Sequence, residues 1–355
     1  NSKIEFFTGV PDSLLKEFCL CIDDKVSKKN HIIAANEGNA LAIAAGNYLS
    51  TGKISMVYMQ NSGLGNAVNP LLSLCDPDVY SIPLLIMIGW RGEPDVIDEP
   101  QHIKQGKIQL DLLQTLGVPF EIIEKDDKFI NQIKVGLNTA KNNKSPFVFL
   151  IRKGTFEKYN NKPKRRYNKG LTRELALEII LNSFDKDTVI VSTTGKASRE
   201  IFEIRENQNQ SHEQDFLTVG SMGHCSSIAL GIALSKPKRK VVCIDGDGAF
   251  IMHMGILTTI ASIRPKNFYH ILLNNKVHES VGGQDTAAKN VDLSAIVDSV
   301  GTNNVFLAGS EIDLIKNMSI FINSIGPSFF EVNIKEGSRK NLGRPTIKPV
   351  NNKEN

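Results

Sequence analysis

The stretch GDGAFIMHMGILTTIASIRPKNFYHILLNN, residues 246–275, follows directly on the apolar run VVCID of 241–245. The apolar run is typical of a buried strand, Gly246 and Gly248 mark a tight turn, and helical spacing begins at about Ala249. Glycines at a strand-to-helix turn let backbone N–H groups approach a phosphate, and the helix N-terminus favours negative charge there. The stretch therefore predicts a parallel α/β sheet with a phosphate site at its edge.

A cation is also expected at this edge, because Asp247 would repel a bare phosphate. A second strand ends in Asn274-Asn275, with 25 residues between Gly248 and Asn274. A helix and a return strand need about that many residues, so both groups reach one sheet edge. Carboxylate, amide and carbonyl oxygens suit Mg²⁺. The alternative for the GDG triplet alone is an ordinary tight turn.

Apolar runs alternate with helical patterns along the whole chain. This alternation predicts an α/β protein with two doubly wound parallel sheets, each covered by helices on both faces. The predicted strands are 31–36, 54–60, 83–89, 120–123, 146–151, 188–193, 215–220, 240–248, 268–275 and 328–334. The predicted helices are 37–50, 66–75, 107–116, 127–141, 172–183, 196–206, 223–234, 249–263 and 311–323.

A length of 355 residues suggests two domains at roughly 150 residues each. The segment 152–173 is basic, Asn-rich and nearly free of aliphatic residues, as is typical of an exposed linker. We therefore expect domains at 1–155 and 172–337, a basic linker at 156–171, and a polar tail at 338–355.

Composition excludes several classes of protein. The net charge of +4 is small, which argues against nucleic acid and anionic membranes as partners. The longest apolar run, 83–90, is far shorter than the roughly 20 residues of a membrane span. Five cysteines without CxxC spacing indicate reduced thiols, with neither a zinc site nor a disulfide framework. We expect a cytoplasmic protein that binds a small molecule.

The GDG triplet, its spacing and the paired asparagines resemble the signature of the thiamin diphosphate (ThDP) enzymes. The resemblance implies a pyrimidine-binding domain followed by a diphosphate-binding domain. It implies that Asp247, Asn275 and the carbonyl of Val277 bind Mg²⁺. Gly246, Gly248 and Ala249 would then contact the diphosphate, together with Thr194, Gly195 and Lys196.

The same resemblance implies three roles around the aminopyrimidine ring of the cofactor. Glu37 would face N1′, Met222 would separate the two cofactor rings, and the carbonyl of Gly220 would accept from the 4′-amino group. Other interpretations exist for single residues, since Glu37 could simply favour a helix N-terminus and Met222 could be core. In this family the cofactor spans two subunits, which implies a homo-oligomer with Glu37 and Asp247 acting in trans.

Four segments narrow the resemblance to the phosphonopyruvate and sulfopyruvate decarboxylase family, whose members have no middle domain. They are FTGVPDSLL (7–15), MQNSGLGNAVNPL (59–71), GWRGEPDVIDEPQHIKQG (89–106) and HESVGGQ (278–284). The implied reaction is decarboxylation of 3-phosphonopyruvate to phosphonoacetaldehyde and CO₂, in phosphonate biosynthesis. Sulfopyruvate is the alternative substrate. A catalytically silent binding or regulatory subunit and a nucleotide-binding Rossmann protein are the alternatives of other classes; the latter lacks a GxGxxG turn after an early strand.

A small, strongly anionic 2-oxo acid requires cations and proton-transfer groups. Arg91 is the first candidate for the phosphonate, because guanidinium binds such oxygens in a bidentate fork, and Lys104 is a weaker one. His102, Asp12 and His278 are candidates for proton transfer near the reacting carbon. For each of these residues the alternative is an ordinary structural or surface role.

Overall fold

A computed structural model of the chain describes residues 4–125, 129–160 and 170–354. The chain divides into two compact units, which we call unit 1 (1–164 and 281–284) and unit 2 (165–280 and 285–355). Residues 161–169, which make up most of the predicted linker, lie outside the described residues. The domain boundaries given above stay predictions.

Unit 1 contains a six-stranded, fully parallel sheet within the described residues. Its strands are β1 Phe7–Gly9, β2 His31–Ile33, β3 Met56–Gln60, β4 Leu85–Gly89, β5 Phe120–Ile123 and β6 Phe147–Ile151. Its helices are α1 Lys16–Lys25, α2 Glu37–Thr51, α3 Leu64–Pro70, α4 Pro100–Lys107, α5 Gln109–Thr115 and α6 Phe129–Asn143. The strand order is β2-β1-β3-β4-β6-β5, so the carboxyl ends of β1, β2, β3 and β4 adjoin one another.

Unit 2 repeats this architecture with a second six-stranded parallel sheet among its described residues. Its strands are β7 Val189–Ser192, β8 Asp215–Leu217, β9 Val241–Gly246, β10 Phe268–Asn274, β11 Asn304–Ala308 and β12 Ser328–Asn333. Its helices are α7 Arg173–Ser183, α8 Lys196–Asn207, α9 Cys225–Ser235, α10 Asp247–Met252, α11 Ile256–Ile263, α12 Leu293–Ser299, α13 Glu311–Phe321 and α14 Pro349–Glu354. The strand order is β11-β12-β10-β9-β7-β8.

The central strands are apolar on both faces, as a sheet covered by helices on both sides requires. In β3, Val57 and Met59 pack into one core cluster of unit 1, and Met56 and Tyr58 pack into the other. The strand predicted at 83–89 is β4, and all five of its residues are buried. The predicted α/β class with two doubly wound parallel sheets is confirmed.

Several elements differ from the prediction. Strands β1 and β11 and helices α1, α4, α12 and α14 were not predicted; β1 has only three residues, too few to show a hydrophobic period. The helix predicted at 249–263 is two helices, because the chain leaves helical geometry at His253. No helix of the described residues is long and apolar enough to cross a membrane.

Candidate active site

Strands β7, β9 and β10 are parallel neighbours in unit 2, so the segments that follow them lie at one edge of the sheet. These segments carry the residues predicted to bind the cofactor. They are Thr194, Gly195 and Lys196 after β7, Gly246, Asp247, Gly248 and Ala249 at the end of β9, and Asn275 after β10. Gly220 and Met222 follow β8 at the same edge.

Asp247 is buried at this edge, and its contacts are with neutral groups. Its Oδ2 accepts a short hydrogen bond from the hydroxyl of Thr286, and the backbone N–H groups of Gly248 and Asn275 also stabilise the carboxylate. Burial nevertheless raises the pKa of Asp247 to about 6. A buried carboxylate with neutral partners is the kind of group that a bound cation would stabilise.

Asn275 and Val277 bring two further oxygens to the loop after β10. Oδ1 of Asn275 accepts from the backbone N–H of Val277 at 3.1 Å, and the carbonyl of Val277 accepts from the N–H of Glu279 at 2.9 Å. Each oxygen has a second lone pair available. A carboxylate, an amide and a carbonyl oxygen form the hard donor set that Mg²⁺ prefers, so these residues fit the predicted metal.

Glycines leave space at the same edge. A Cβ placed on Gly195 or on Gly246 would meet no atom within 4 Å, and Gly195 has a φ of +99° that other residues rarely adopt. Gly195 directly precedes helix α8, whose free N–H groups favour an anion. This edge of unit 2 therefore fits the diphosphate of the predicted cofactor.

Met222 and His278 both lie beside Gly248. A Cβ on Gly248 would be 3.1 Å from the His278 ring and 3.6 Å from Cε of Met222. Met222 is 37% exposed, and this exposure argues against the alternative that it is an ordinary core residue. Burial lowers the pKa of His278 to about 4, so its imidazole is neutral at pH 7.

Glu279 connects several of these groups and was missed by the sequence reasoning. Its carboxylate accepts from Nδ2 of Asn275 at 3.1 Å, from Arg173 at 3.0 Å, and from Lys196. The bond to Nδ2 fixes the amide of Asn275, which leaves Oδ1 for a metal. Arg173 also makes a bidentate, buried ion pair with Glu200. No spacing rule reveals such partners, because Arg173 and Glu279 are 106 positions apart.

Glu37 is the first residue of α2 in unit 1 and is only 4% exposed. The side chain of Asn36 caps the helix by accepting from the N–H of Asn39 at 2.9 Å. Oε2 of Glu37 accepts from Nδ2 of Asn66 at 2.8 Å. A Cβ on Gly63 would come within 2.3 Å of Oε1, so glycine at this position lets the carboxylate keep its place.

Asp12 follows β1 and is buried in the same way. Its Oδ2 accepts from the N–H of Leu14 at 3.0 Å, while Oδ1 has no hydrogen-bond partner among the residues that the structure describes. Burial raises the pKa of Asp12 to about 6, although the nearby Arg91 lowers it. A Cβ on Gly89 would lie 2.2 Å from Oδ2, so this carboxylate too is packed against a glycine.

Arg91 follows β4, and Asp98 joins it to His102. Nε of Arg91 donates to Asp98 at 2.8 Å, and Nη2 makes a second short bond to the same carboxylate. Nδ1 of His102 lies 2.9 Å from Oδ1 of Asp98. Lys104, on α4, is exposed. The guanidinium fork that was expected to face a phosphonate thus faces Asp98.

The carboxyl edge of the unit 1 sheet therefore brings together Asp12, Glu37 and Arg91, which follow β1, β2 and β4. Two of them are buried carboxylates. Burial raises the pKa of one of them, Asp12, to about 6, which suits proton transfer near neutral pH. The unit 2 edge instead offers oxygen ligands and open space beside glycines.

Two family models match parts of this chain. The family model described as "Thiamine pyrophosphate enzyme, N-terminal TPP binding domain" matches residues 1–114, and "Thiamine pyrophosphate enzyme, C-terminal TPP binding domain" matches residues 193–332. Both matches agree with the predicted order of the two domains.

Relatives at higher identity cover almost the whole chain. A phosphonopyruvate decarboxylase of Streptomyces viridochromogenes is 35% identical over 96% of this chain and 88% of its own length. One from Streptomyces hygroscopicus is 34% identical over 96% and 86%. A sulfopyruvate decarboxylase of Methanosarcina acetivorans is 30% identical over 88% and 82%. The chain thus belongs to the ThDP-dependent enzymes, in the decarboxylase family that contains these relatives.

Proposed function

We propose that the chain decarboxylates 3-phosphonopyruvate to phosphonoacetaldehyde and CO₂, with ThDP and Mg²⁺ as cofactors. The observation that carries the proposal is the buried carboxylate of Asp247 beside Asn275, whose partners within the described part of the chain are neutral groups. Relatives that bear the name phosphonopyruvate decarboxylase support the choice of substrate. Intact Glu37 and Asp247 argue against a catalytically silent subunit.

The residues present fit both cofactors. Asp247, Asn275 and the carbonyl of Val277 would hold Mg²⁺, and the segments beginning at Thr194 and Gly246 would hold the diphosphate. When bound, ThDP supplies the electron sink for the electron pair that departing CO₂ leaves behind. The protein's own contribution is to bind, orient and move protons.

Carboxyl and imidazole groups at the carboxyl edges of the two sheets would transfer the protons. Glu37 would hold a proton opposite N1′ of the cofactor. Asp12, with a pKa of about 6, exchanges protons readily near neutral pH. His102 and His278 are the further candidates, and both have a pKa below the ordinary value because burial disfavours the charged ring.

Positive charge for the anionic substrate comes from Arg91 and Lys104. Arg91 donates Nε–H and one Nη2–H to Asp98, and its Nη1 donates to the hydroxyl of Ser13 at 2.8 Å. Of the five guanidinium N–H groups, one on each terminal nitrogen then stays available. Arg91 would therefore contact an anion through its outer edge rather than through the Nε side.

The active site is proposed to be shared between subunits, with Glu37 of one chain and Asp247 of another at one cofactor. A dimer is then the smallest active unit. Mixing the inactive variants Glu37→Gln and Asp247→Ala should restore about a quarter of wild-type activity if random dimers form, since half are mixed and each has one intact site. No recovery after demonstrated subunit exchange would place both residues in one chain's site.

A steady-state assay with phosphonopyruvate and sulfopyruvate side by side tests the function. We expect ThDP- and Mg²⁺-dependent CO₂ release with a higher kcat/KM for phosphonopyruvate, and the Glu37→Gln protein gives the background rate. A higher kcat/KM for sulfopyruvate would assign the alternative substrate. Tight ThDP binding without turnover of either acid would favour the silent binding subunit.

A further inference from the structure

The carboxylate of Asp98 makes hydrogen-bond contacts with four residues. It lies between β4 and α4 of unit 1, and its side chain is 10% exposed. Besides the two bonds from Arg91 and the contact with Nδ1 of His102, its carboxylate accepts from the backbone N–H of Gly92 at 2.8 Å and of Glu99 at 2.7 Å. One carboxylate thus organises the segment that follows β4.

Asp98 determines which nitrogen of His102 carries a proton. Although burial alone would raise it, the hydrogen bonds from Arg91 and His102 hold the pKa of Asp98 well below its usual range. An ionised carboxylate only accepts hydrogen bonds, so Nδ1 of His102 must donate. In the neutral ring Nε2 is then the nitrogen that accepts a proton, and in the charged ring it is the one that releases it.

The backbone around Asp98 fixes the positions of Arg91 and His102 relative to each other. The carbonyl and N–H of Arg91 bond to the side chain of Asn61 at 2.8 and 3.2 Å. A Cβ on Gly92 would lie 2.0 Å from the carbonyl oxygen of His102, so the loop passes directly against α4. Arg91 and His102 are therefore held in place together, by the close approach of Gly92 to His102 and by their shared partner Asp98.

We propose that Asp98 is a positioning residue for the decarboxylation: it fixes His102 in the tautomer with Nε2 free and turns the outer edge of Arg91 toward the substrate. The inference rests on the proposed function, and it adds a residue that the sequence reasoning did not single out. Asp98 need not touch the substrate to act in this way. It acts through the two side chains that it orients.

The charges around His102 give the sign of the expected effect. Burial and the positive charge of Arg91 lower the pKa of His102, whereas the hydrogen bond and charge of Asp98 raise it. Asp98→Asn removes the negative charge, so the pKa of His102 should fall further. The new amide can also donate to Nδ1, which would move the proton of the neutral ring to Nε2.

The first measurement uses the wild-type chain without cofactor or substrate. Nitrogen NMR of ¹⁵N-histidine-labelled protein, with His102 assigned through His102→Gln, reports which ring nitrogen is protonated. We expect the proton on Nδ1 at pH 7. A neutral His102 ring that carries its proton on Nε2 in the folded wild-type protein overturns the proposal, and His102→Gln serves only to assign the signal.

The second measurement compares Asp98→Asn with Asp95→Asn. Asp95 is exposed in the same loop and has a φ of +65°, which asparagine adopts readily, so its replacement is the matched control. Asp98→Asn should lower the pKa of His102, shift the basic limb of the kcat profile to lower pH, and reduce kcat about 100-fold. Asp95→Asn should change none of these. An unaltered tautomer and pKa in folded Asp98→Asn would contradict the proposal.

The two proposals fail in distinguishable ways. If the NMR result is as expected but neither oxo acid is decarboxylated, the proposed function fails and the positioning of His102 stands. If phosphonopyruvate is turned over and Asp98→Asn has the same kcat and pH profile as wild type, the function stands and Asp98 is only structural.

Discussion

At the carboxyl edge of unit 1, Gly63 is packed against the carboxylate of Glu37, whereas at the carboxyl edge of unit 2, Gly246 faces open space. Both glycines lie where a strand gives way to a turn or helix. In unit 1 the missing side chain makes room for an acid of the protein itself. In unit 2 it leaves space that the proposed diphosphate would occupy. Similar sheets thus use glycine for opposite purposes.

The two sheet edges also differ in the groups that surround their buried carboxylates. Asp12 and Glu37 in unit 1 are buried carboxylates, and the raised pKa of Asp12 favours its protonated form. Asp247 in unit 2 is equally buried but lies beside Asn275, whose amide oxygen could share a cation with it. Burial is common to all three carboxylates, so we expect their neighbouring groups to decide whether each holds a proton or a metal.

The largest effect is expected at Asp247, the proposed Mg²⁺ ligand at the edge of unit 2. Asp247→Ala should abolish Mg²⁺-dependent ThDP binding and leave the fold intact, because the diphosphate and the protein would lose the cation between them. Isothermal titration calorimetry with ThDP and Mg²⁺ measures the loss, and Asp187→Ala, an exposed residue of unit 2, is the control. Unchanged ThDP affinity in Asp247→Ala would remove Asp247 from the metal site.

The proposed role of Glu37 in proton transfer, at the edge of unit 1, is tested by Glu37→Gln. We expect this variant to bind ThDP as the wild type does, but to catalyse C2–H exchange of the cofactor at least 100-fold more slowly, since an amide cannot exchange a proton with N1′. Proton NMR of C2–H exchange in D₂O measures the rate. Exchange at the wild-type rate would show that Glu37 has no part in proton transfer.

How much of this site could be predicted from the sequence depends on how local its signals are. Asp247 and Asn275 stand in a short motif at the ends of neighbouring strands, so the motif by itself predicts that they share one edge of the sheet. Asp98 and Glu279 could not be found in this way. Their roles come from contacts made in the folded chain, and the bond between Glu279 and Arg173 spans 106 positions.

The fold shows the same limit. Buried strands such as β4 and β10 are continuous apolar runs, and both were predicted. Strand β1 has three residues and stands in the sheet because β2 and β3 pair with it on either side. Tertiary pairing, and not local propensity, makes such a segment a strand.

A smaller effect is expected from the glycine beside Glu37. Gly63→Ala places a methyl group 2.3 Å from Oε1, so the carboxylate must move. A displacement of about 1 Å at a reacting group costs roughly 100-fold in rate, which we expect in kcat/KM. Gly65→Ala is the matched control, since a Cβ there meets nothing within 4 Å. Equal activity of both variants would mean that Glu37 tolerates the shift.

The smallest effect concerns stability and Asp12. Because the pKa of Asp12 in the folded chain is about 6, above the ordinary value near 3.9, folding binds a proton between these values. The ionised carboxylate therefore destabilises the fold above pH 6, and the penalty vanishes below pH 4. A shift of about two pKa units corresponds to about 2–3 kcal/mol at pH 8.

Asp12→Asn should remove this penalty, since an amide has no charge to desolvate and its oxygen can still accept from the N–H of Leu14. Urea unfolding of the cofactor-free chain should then show a higher midpoint than wild type at pH 8, with a difference that is nearly constant down to about pH 6 and clearly smaller at pH 5. Asp78→Asn, which alters an exposed carboxylate of unit 1, should show no such trend.

Asp12→Asn should at the same time lose decarboxylase activity, because the carboxylate that destabilises the fold at pH 8 is the one proposed to exchange a proton with the substrate. A midpoint that differs from wild type by the same amount at both pH values would mean that Asp12 keeps an ordinary pKa, and the proton-holding role of the unit 1 edge would then rest on Glu37 alone.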